Sequence, residues 1–198
     1  MPSNRTILTP DFYSRTDVVQ ISRELLGCLL CTEIDGEFTS GLITETEAYC
    51  GRNDKACHAN NNTRTDRTEV MYGPPGHSYI YLCYGIHHLF NVVTNQRELA
   101  DAVLVRGIKP IDGIETMKRR RGMESMKNLT NGPGKLSQAL AINRKMSGCS
   151  LLEPPIWIES SQFNIKDEHI KSSTRIGVDY AGDDALREWR FTVNPALL

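Results

Sequence analysis

The first clear pattern of apolar positions along the chain is a helical one. Val18, Ile21 and Leu25 recur at the spacing of one helix face. Thr16 and Asp17, both of residue types that cap helix N-termini, precede them, and Gly27, a residue type that ends helices, follows. The pattern predicts a short helix that begins at one of these caps and ends before Gly27.

Strand patterns dominate the rest of the chain. Apolar or alternating segments over 28–34 and 37–49 flank Asp35-Gly36, a strong signal for a two-residue hairpin turn. Further strands are predicted over 79–84, 89–94, 102–106, 156–159, 176–180 and 189–193, and helices over 112–121 and 135–142. Because hairpins join the strands and crossover helices are few, we expect a single α+β domain spanning 1–198. Its architecture should be a curved antiparallel β-sheet, partly barrel-like, with surrounding α-helices.

The distribution of charge changes this picture more than the composition does. The 198 residues are 39% hydrophobic and 24% charged with a net charge of −1, which is typical of a folded globular domain. No apolar run approaches the roughly 18–20 residues of a membrane span, so no membrane partner is expected. Residues 61–145, however, carry 13 bases and 7 acids, whereas the segments on either side are acidic. This asymmetry predicts a face that attracts phosphate, with ordinary solvated charge as the alternative.

Cysteine usage and the N-terminal sequence both favour a cytoplasmic protein. Six cysteines in a chain of this length are too sparse for a disulfide scaffold, and the N-terminus has no apolar segment of signal-peptide length. Cys28 and Cys31 have the spacing of a metal or redox pair. A three-residue offset along a strand points two thiols to opposite faces, however, so buried structural cysteines are the better interpretation.

Aromatic and imidazole side chains are concentrated in residues 45–91. Five of the seven tyrosines and four of the five histidines lie there: Tyr49, Tyr72, Tyr79, Tyr81, Tyr84, His58, His77, His87 and His88. Aromatic faces interleaved with basic residues are typical of proteins that stack nucleobases. An aromatic-rich sheet core is the competing interpretation.

Strand periodicity places several of these side chains together. Glu45, Glu47 and Tyr49 share one face of their strand, and Tyr79 and Tyr81 share one face of theirs. Asn91 lies among apolar residues, and a buried amide selects ligands by its donors and acceptor. A carboxylate, aromatic faces and an amide would form a pocket for a planar heterocycle. Solvated strand charges remain the alternative for the two glutamates.

Two basic segments could contact phosphate. Arg121 ends the basic run 118–121 on a predicted helix, and Lys135 follows Gly132-Pro133-Gly134 at the start of another. Solvated charge and a simple turn are the alternatives. The motifs of zinc nucleobase deaminases, P-loops, zinc metalloproteases and serine hydrolases do not occur.

Several motifs in fixed order resemble one known family. They are Leu26-Gly27, Glu45-Thr46-Glu47-Ala48-Tyr49, Ala56-Cys57-His58, Met71-Tyr72-Gly73-Pro74-Pro75-Gly76, Tyr79-Ile80-Tyr81-Leu82-Cys83-Tyr84-Gly85, Asn91-Val92, Val103-Leu104-Val105-Arg106 and Asn131-Gly132-Pro133-Gly134-Lys135-Leu136. Together they resemble the alkyladenine (3-methyladenine) DNA glycosylases of the mammalian type, which also occur in bacteria. The resemblance covers about residues 25–193.

The resemblance implies an enzyme that needs no metal and no cofactor. Such an enzyme flips an alkylated or otherwise damaged purine out of double-stranded DNA and hydrolyses its N-glycosidic bond. It leaves an abasic site for base excision repair, without lyase activity, and we expect it to act as a monomer, nucleoid-associated in a bacterium or nuclear in a eukaryote. The implied roles are catalysis by Glu47 and Arg106, binding of the base by Tyr49, His58, Tyr81 and Asn91, intercalation by Tyr84, and DNA-phosphate contacts by Arg67, Arg121 and Lys135.

Two alternatives to this hypothesis remain. A non-catalytic protein could bind flipped or single-stranded bases with the same aromatic cluster, although such a pocket gains little from a buried carboxylate. A metal-dependent hydrolase could use Glu45, Glu47, His58 and His77 as ligands, and this alternative is the weaker of the two.

Overall fold

The structure is a computed structural model that describes residues 5–163 and 165–198. Within those residues the strands are β1 (Leu29–Ile34), β2 (Glu37–Cys50), β3 (Ser78–Cys83), β4 (His87–Thr94), β5 (Asp101–Asp112), β6 (Leu152–Glu153), β7 (Ile156–Glu159), β8 (Ile170–Ser173) and β9 (Arg190–Val193). The α-helices are α1 (Pro10–Tyr13), α2 (Val18–Glu24), α3 (Ile114–Arg121) and α4 (Pro133–Ala139). None of the described helices is long and apolar enough to cross a membrane.

A single antiparallel sheet organises the domain, in the order β3-β4-β5-β2-β1-β7-β6. The long strand β2 pairs with β5 along one edge, while its other edge pairs first with β1 and then with β9. Register shifts interrupt the β2–β5 ladder around Ser40–Gly41 and Ile43–Thr46. Such irregularities bend and twist strands, and the sheet curls into a half barrel with helices against it. The predicted α+β class and curved antiparallel sheet are confirmed.

The local signals in the N-terminal part act as predicted. Asp17 caps α2 by accepting a hydrogen bond from the Gln20 N–H at 2.9 Å, and Gly27 has a positive φ. Asp35 and Gly36 both have positive φ, as a two-residue hairpin turn between twisted strands requires. Cys28 and Cys31 are both buried and belong to separate hydrophobic clusters, so they are structural cysteines, as predicted.

The two faces of the sheet pack against different parts of the chain. One face packs against α2 and α4 around fully buried apolar residues such as Phe90 and Val103. Tyr49, Tyr79 and Tyr81 belong to a smaller cluster with the segment that follows β2. Because side chains alternate along a strand, the residues between the core positions are available to build a site on this second face.

Two predicted strands need correction. No strand covers 176–180, because Gly177 has a positive φ and a 3₁₀ helix begins at Asp179. The strand that pairs with β9 on this side is β8. The strand predicted over 102–106 extends over Asp101–Asp112 and includes Pro110. That proline pairs opposite Gly41, beside a register shift where a ladder donor is not required.

Candidate active site

A cavity of about 670 Å³ opens on the second face of the sheet. Strands β2, β3, β4 and β5, the segment 56–71, the start of α4 and the segment 176–180 all contribute to its wall. Its lining includes every residue for which the sequence suggested catalysis, base binding or intercalation, except Glu47, which lies beside it hydrogen-bonded to the lining residue Tyr49.

Strand register explains how the site residues come together. Glu47 of β2 lies opposite Leu104 of β5, Leu104 lies opposite Asn91 of β4, and Asn91 lies opposite Tyr79 of β3. Side chains in directly paired positions point to the same face of a sheet. Residues distant in sequence therefore form one row, with the carboxylate at one end and an aromatic ring at the other.

Glu47 is a fully buried carboxylate with three donors. Its Oε1 accepts a hydrogen bond from the Ile176 N–H at 2.8 Å, and its Oε2 accepts one from the Tyr49 hydroxyl at 2.7 Å. The Arg106 guanidinium donates to Oε2 at 3.4 Å. A carboxylate offers about four acceptor positions, so this arrangement leaves room for one more donor, such as a water molecule.

Burial and neighbouring charge act on Glu47 in opposite directions. Burial raises the pKa of Glu47, while the Arg106 charge, the Ile176 N–H and the Tyr49 hydroxyl lower it. Arg106 also donates to Glu45 at 2.9 Å, and Glu45 in turn accepts from Arg190 at 2.7 Å. Both glutamates are thus held in a network of ion pairs rather than solvated, which removes the alternative of ordinary strand charges.

Three aromatic side chains form one wall of the cavity. The His58 and Tyr81 rings meet edge to face with centroids 4.7 Å apart, and the Tyr79 and Tyr81 rings lie 5.4 Å apart. The His58 Nδ1 and the Tyr79 hydroxyl are 2.9 Å apart. Tyr49 lines the same cavity beside Glu47. These rings offer flat apolar surface to a planar ligand.

The hydrogen bonds of His58 determine its tautomer. Arg67 approaches His58 Nε2 at 2.9 Å, and because a guanidinium only donates, Nε2 must accept. The ring proton of the neutral imidazole is therefore on Nδ1, from which it donates to Tyr79. Burial and the Arg67 charge lower the pKa of His58 to about 4, so the ring is neutral at pH 7.

Asn91 is oriented by two backbone carbonyls. Its Nδ2 donates to Tyr79 O at 3.0 Å and to Leu89 O at 3.2 Å, and the residue is only 3% exposed. With both amide hydrogens directed to the backbone, the acceptor oxygen is the part of the side chain available to the cavity that Asn91 lines. The burial of this amide is as expected from its apolar neighbours, and its selection of a ligand stays a prediction.

Tyr84 stands at the mouth of the cavity on the tip of the β3–β4 hairpin. It is 92% exposed and has a positive φ, and Gly85 after it also has one. The next residue, Ile86, is 72% exposed. The turn therefore presents a large aromatic side chain to solvent. Packing in the core does not explain an aromatic residue at this position.

The three predicted phosphate-contacting residues occupy different places. Arg67 and Lys135 both line the cavity, and the Lys135 ammonium donates to Asn131 at 3.0 Å. Arg121 lies outside the lining and donates to Gln138 at 2.6 Å. Within the same helix, Arg119 and Arg120 pair with Glu37 of β2, so part of the basic segment is neutralised by the chain itself.

Sequence reasoning missed the contribution of the segment after β8. Arg175 is buried, donates to Asp54 Oδ1 at 2.8 Å and to Ala48 O at 2.9 Å, and lies over the Tyr49 ring at 4.9 Å. The next residue supplies the N–H that holds Glu47. A backbone donor leaves no mark on side-chain identity, and the only local signal was Gly177.

The proposed metal-ligand set does not come together. His77 approaches the Pro75 carbonyl, and His58 is bonded to Tyr79 and Arg67. Within 5–163 and 165–198 no group of three or more His, Cys, Asp or Glu residues is arranged to hold a metal ion.

Fold and site together define a class of protein: a half-barrel α+β domain with a cavity lined by aromatic rings and a buried carboxylate beside it. Comparison with known proteins agrees with this class. The model of the family described as methylpurine-DNA glycosylase matches residues 11–196. The chain belongs to this family.

Bacterial relatives cover nearly the whole chain. A Bacillus cereus (strain ATCC 14579) protein is 44% identical over 194 residues, 92% of this chain and 93% of its own. A Chlamydia abortus protein is 44% identical over 190 residues, covering 95% and 98%, and one from Natranaerobius thermophilus is 41% identical over 185 residues, covering 92% and 93%. All three are named as inferred 3-methyladenine DNA glycosylases.

Proposed function

We propose that this protein releases damaged purines from double-stranded DNA by hydrolysis with a Glu47-activated water. As a member of the methylpurine-DNA glycosylase family it is a DNA glycosylase of base excision repair. The observation that carries the proposal is the position of Glu47, a buried carboxylate with three donors beside the aromatic cavity. A site that only bound bases would gain little from burying this charge.

Aromatic surface makes the flipped state accessible. Extrusion of a base costs a few kcal/mol, and stacking on aromatic side chains returns roughly 1–3 kcal/mol per base. Tyr49, Tyr81 and His58 supply that surface, while Tyr84 is free to enter the gap left in the duplex. A purine methylated at N3 or N7 is cationic, so it gains a further attraction to the tyrosine faces.

The chemical step needs a base and a stabilising charge. Glu47 accepts a proton from water as the water oxygen bonds to C1′ of the sugar. The C1′–N bond breaks, and the purine leaves with its electron pair; a methylated cationic purine thereby becomes neutral. The ionised carboxylate also balances the positive charge that develops on the sugar. The Arg106 charge lowers the pKa of Glu47 against the effect of burial, and Arg106 faces the cavity, where it can contact the phosphate of the flipped nucleotide.

Water as nucleophile makes the enzyme monofunctional. A lyase forms its covalent intermediate through an amine, and Lys135, the one lysine among the described cavity-lining residues, donates a hydrogen bond from its ammonium to Asn131. We therefore expect an intact strand that breaks only when the abasic site is treated with alkali, and no covalent complex on borohydride treatment.

A base-release assay tests the proposal. Duplexes carrying single 3-methyladenine, 7-methylguanine, hypoxanthine or ethenoadenine lesions are incubated with the wild-type protein and with Glu47→Gln, and the free base is measured by chromatography. We expect release by the wild type and lesion binding without release by the variant. Release by Glu47→Gln at the wild-type rate would contradict the role of Glu47, and tight binding without release by both proteins would favour a non-catalytic binder.

A further inference from the structure

Arg67 occupies space that a stacked base requires. Its guanidinium lies 4.7 Å from the centroid of the Tyr81 ring and 2.9 Å from His58 Nε2. All three side chains line the cavity. A planar ring stacked on Tyr81 and bonded to His58 would meet this guanidinium.

Arg67 is also free to leave this position. The residue is exposed and belongs to a loop between two short 3₁₀ helices, Asn60–Asn62 and Glu69–Tyr72. Its partners in this position, His58 and Tyr81, are not carboxylates, so these contacts are not ion pairs. Arg64 in the same loop differs, because it pairs with both Glu69 and Glu98 while it covers the Tyr72 ring at 4.7 Å.

We propose that Arg67 is a gate that opens the base pocket when DNA phosphate takes up its guanidinium. The proposal rests on the proposed function of the same cavity. In the protein without DNA, the Arg67 guanidinium covers the face of the Tyr81 ring and donates a hydrogen bond to His58 Nε2. A phosphate offers a guanidinium stronger, paired hydrogen bonds than a neutral imidazole and a ring face can. A nucleotide in DNA therefore brings a partner for the displaced arginine, and a free purine brings none.

The gate selects between DNA and free bases rather than between lesions. Every base must displace the same arginine, so the cost of displacement cancels between two lesions in the same duplex. For a free purine the cost is not recovered. An exposed cation–π contact changes a binding constant by about two- to fivefold, and the hydrogen bond to His58 adds to this. Arg67 would thus limit occupation of the pocket by free purines and by the released product.

Arg67→Ala tests the gate, and Arg64→Ala is the matched control from the same loop. Calorimetric titration of each DNA-free protein with 3-methyladenine measures binding of the free base. Titration of a lesion duplex at several salt concentrations measures binding of DNA. We expect Arg67→Ala to bind the free base about fivefold more tightly than the wild type. We also expect it to bind the duplex more weakly, with the slope of log K against log salt reduced in magnitude by about one. Arg64→Ala should leave the free-base affinity unchanged.

A gate predicts that Arg67→Ala binds the free base more tightly and the lesion duplex more weakly. A residue that only supports the aromatic wall would not give these opposite changes. Equal or weaker binding of 3-methyladenine by Arg67→Ala would overturn the proposal, and so would an unchanged salt slope. Base release from the lesion duplex by the wild type tests the proposed function separately. A protein that releases bases but shows no gain in free-base affinity in Arg67→Ala would keep its function and lose the gate.

Discussion

Glu47→Gln tests the proposed catalytic role of the buried carboxylate and, separately, its effect on the stability of the fold. Glutamine has nearly the same shape, and its carbonyl oxygen can accept from the Ile176 N–H at the position where Oε1 now accepts at 2.8 Å. The Tyr49 hydroxyl can accept from the new amide. Arg106 keeps its 2.9 Å bond to Glu45. The substitution therefore removes one negative charge and the proposed general base, while it leaves the packing around residue 47 intact.

The expected loss of activity is large. Removing a positioned general base costs about 10²–10⁴-fold in rate, and the neutral amide no longer balances the charge that develops on the sugar. Lesion binding should persist, because Tyr49, Tyr81 and His58 remain in place. The base-release assay under single-turnover conditions measures the rate, and a titration of the lesion duplex measures binding.

Stability should change in the opposite direction. Because burial raises the pKa of Glu47, the folded protein favours the protonated form. The stability due to this group is complete below the carboxyl pKa of the unfolded chain and is lost as pH rises through the folded pKa. Glutamine removes that loss, so the variant should unfold at a higher Tm at neutral pH. A gain of 1 kcal/mol corresponds to about 2–4 °C for a chain of this size.

Thermal unfolding of both proteins between pH 4 and pH 8 checks this reasoning. We expect the difference in Tm to be small at pH 4 and to widen as pH rises. Glu33→Gln, the same substitution at an exposed strand position, is the control and should show no such trend. A variant that releases base within tenfold of the wild-type rate would refute the catalytic role. A constant Tm difference across the range would refute the idea that burial raises the pKa of Glu47.

Three further variants test other parts of the site. Tyr84→Ala should change the free energy of unfolding by less than about 0.5 kcal/mol, since the side chain is 92% exposed, yet weaken lesion-duplex binding about tenfold or more while single-strand cleavage changes less. Asn91→Ser should, in a base-release assay, increase release of normal guanine relative to 3-methyladenine, which has no 2-amino group, because it removes side-chain bulk from the cavity wall that would meet the 2-amino group of guanine. Arg106→Gln should move the acidic limb of the pH–rate profile to higher pH, because the Arg106 charge lowers the pKa of Glu47; an unmoved limb would show that the limb reports another group.

The alternation of side chains along a strand made part of the cavity-facing side of the sheet predictable from sequence. Side-chain direction alternates with a period of two, so Glu45, Glu47 and Tyr49 had to share a face wherever β2 lay in the fold. The same argument placed Tyr79 with Tyr81. The hairpin signal at Asp35-Gly36 is equally local. Features that depend only on residues within a few positions could therefore be read from the sequence.

Contacts between distant segments could not be read in this way. The basic end of α3 predicts a solvated or DNA-binding helix, yet Arg119 and Arg120 pair with Glu37, more than 80 residues away. Arg67 lies against His58 and Tyr81 in the DNA-free protein, a contact that the sequence did not indicate, and its contact with DNA phosphate stays a prediction. Partner choice by a long, charged side chain depends on which carboxylate or ring the fold brings within reach, and spacing in sequence carries no information on that.

The segment after β8 shows why the position of a backbone donor is the hardest feature to foresee. A buried ion pair adds little net stability, because the cost of dehydrating both charges offsets their attraction. Arg175 and Asp54 form such a pair, and Arg175 also bonds the Ala48 carbonyl of β2. Together these contacts fix the chain immediately before Ile176, whose N–H donates to Glu47. The pair is therefore best understood through the position that it imposes: it connects the loop after β2 to a backbone N–H that orients the carboxylate and favours its ionised form.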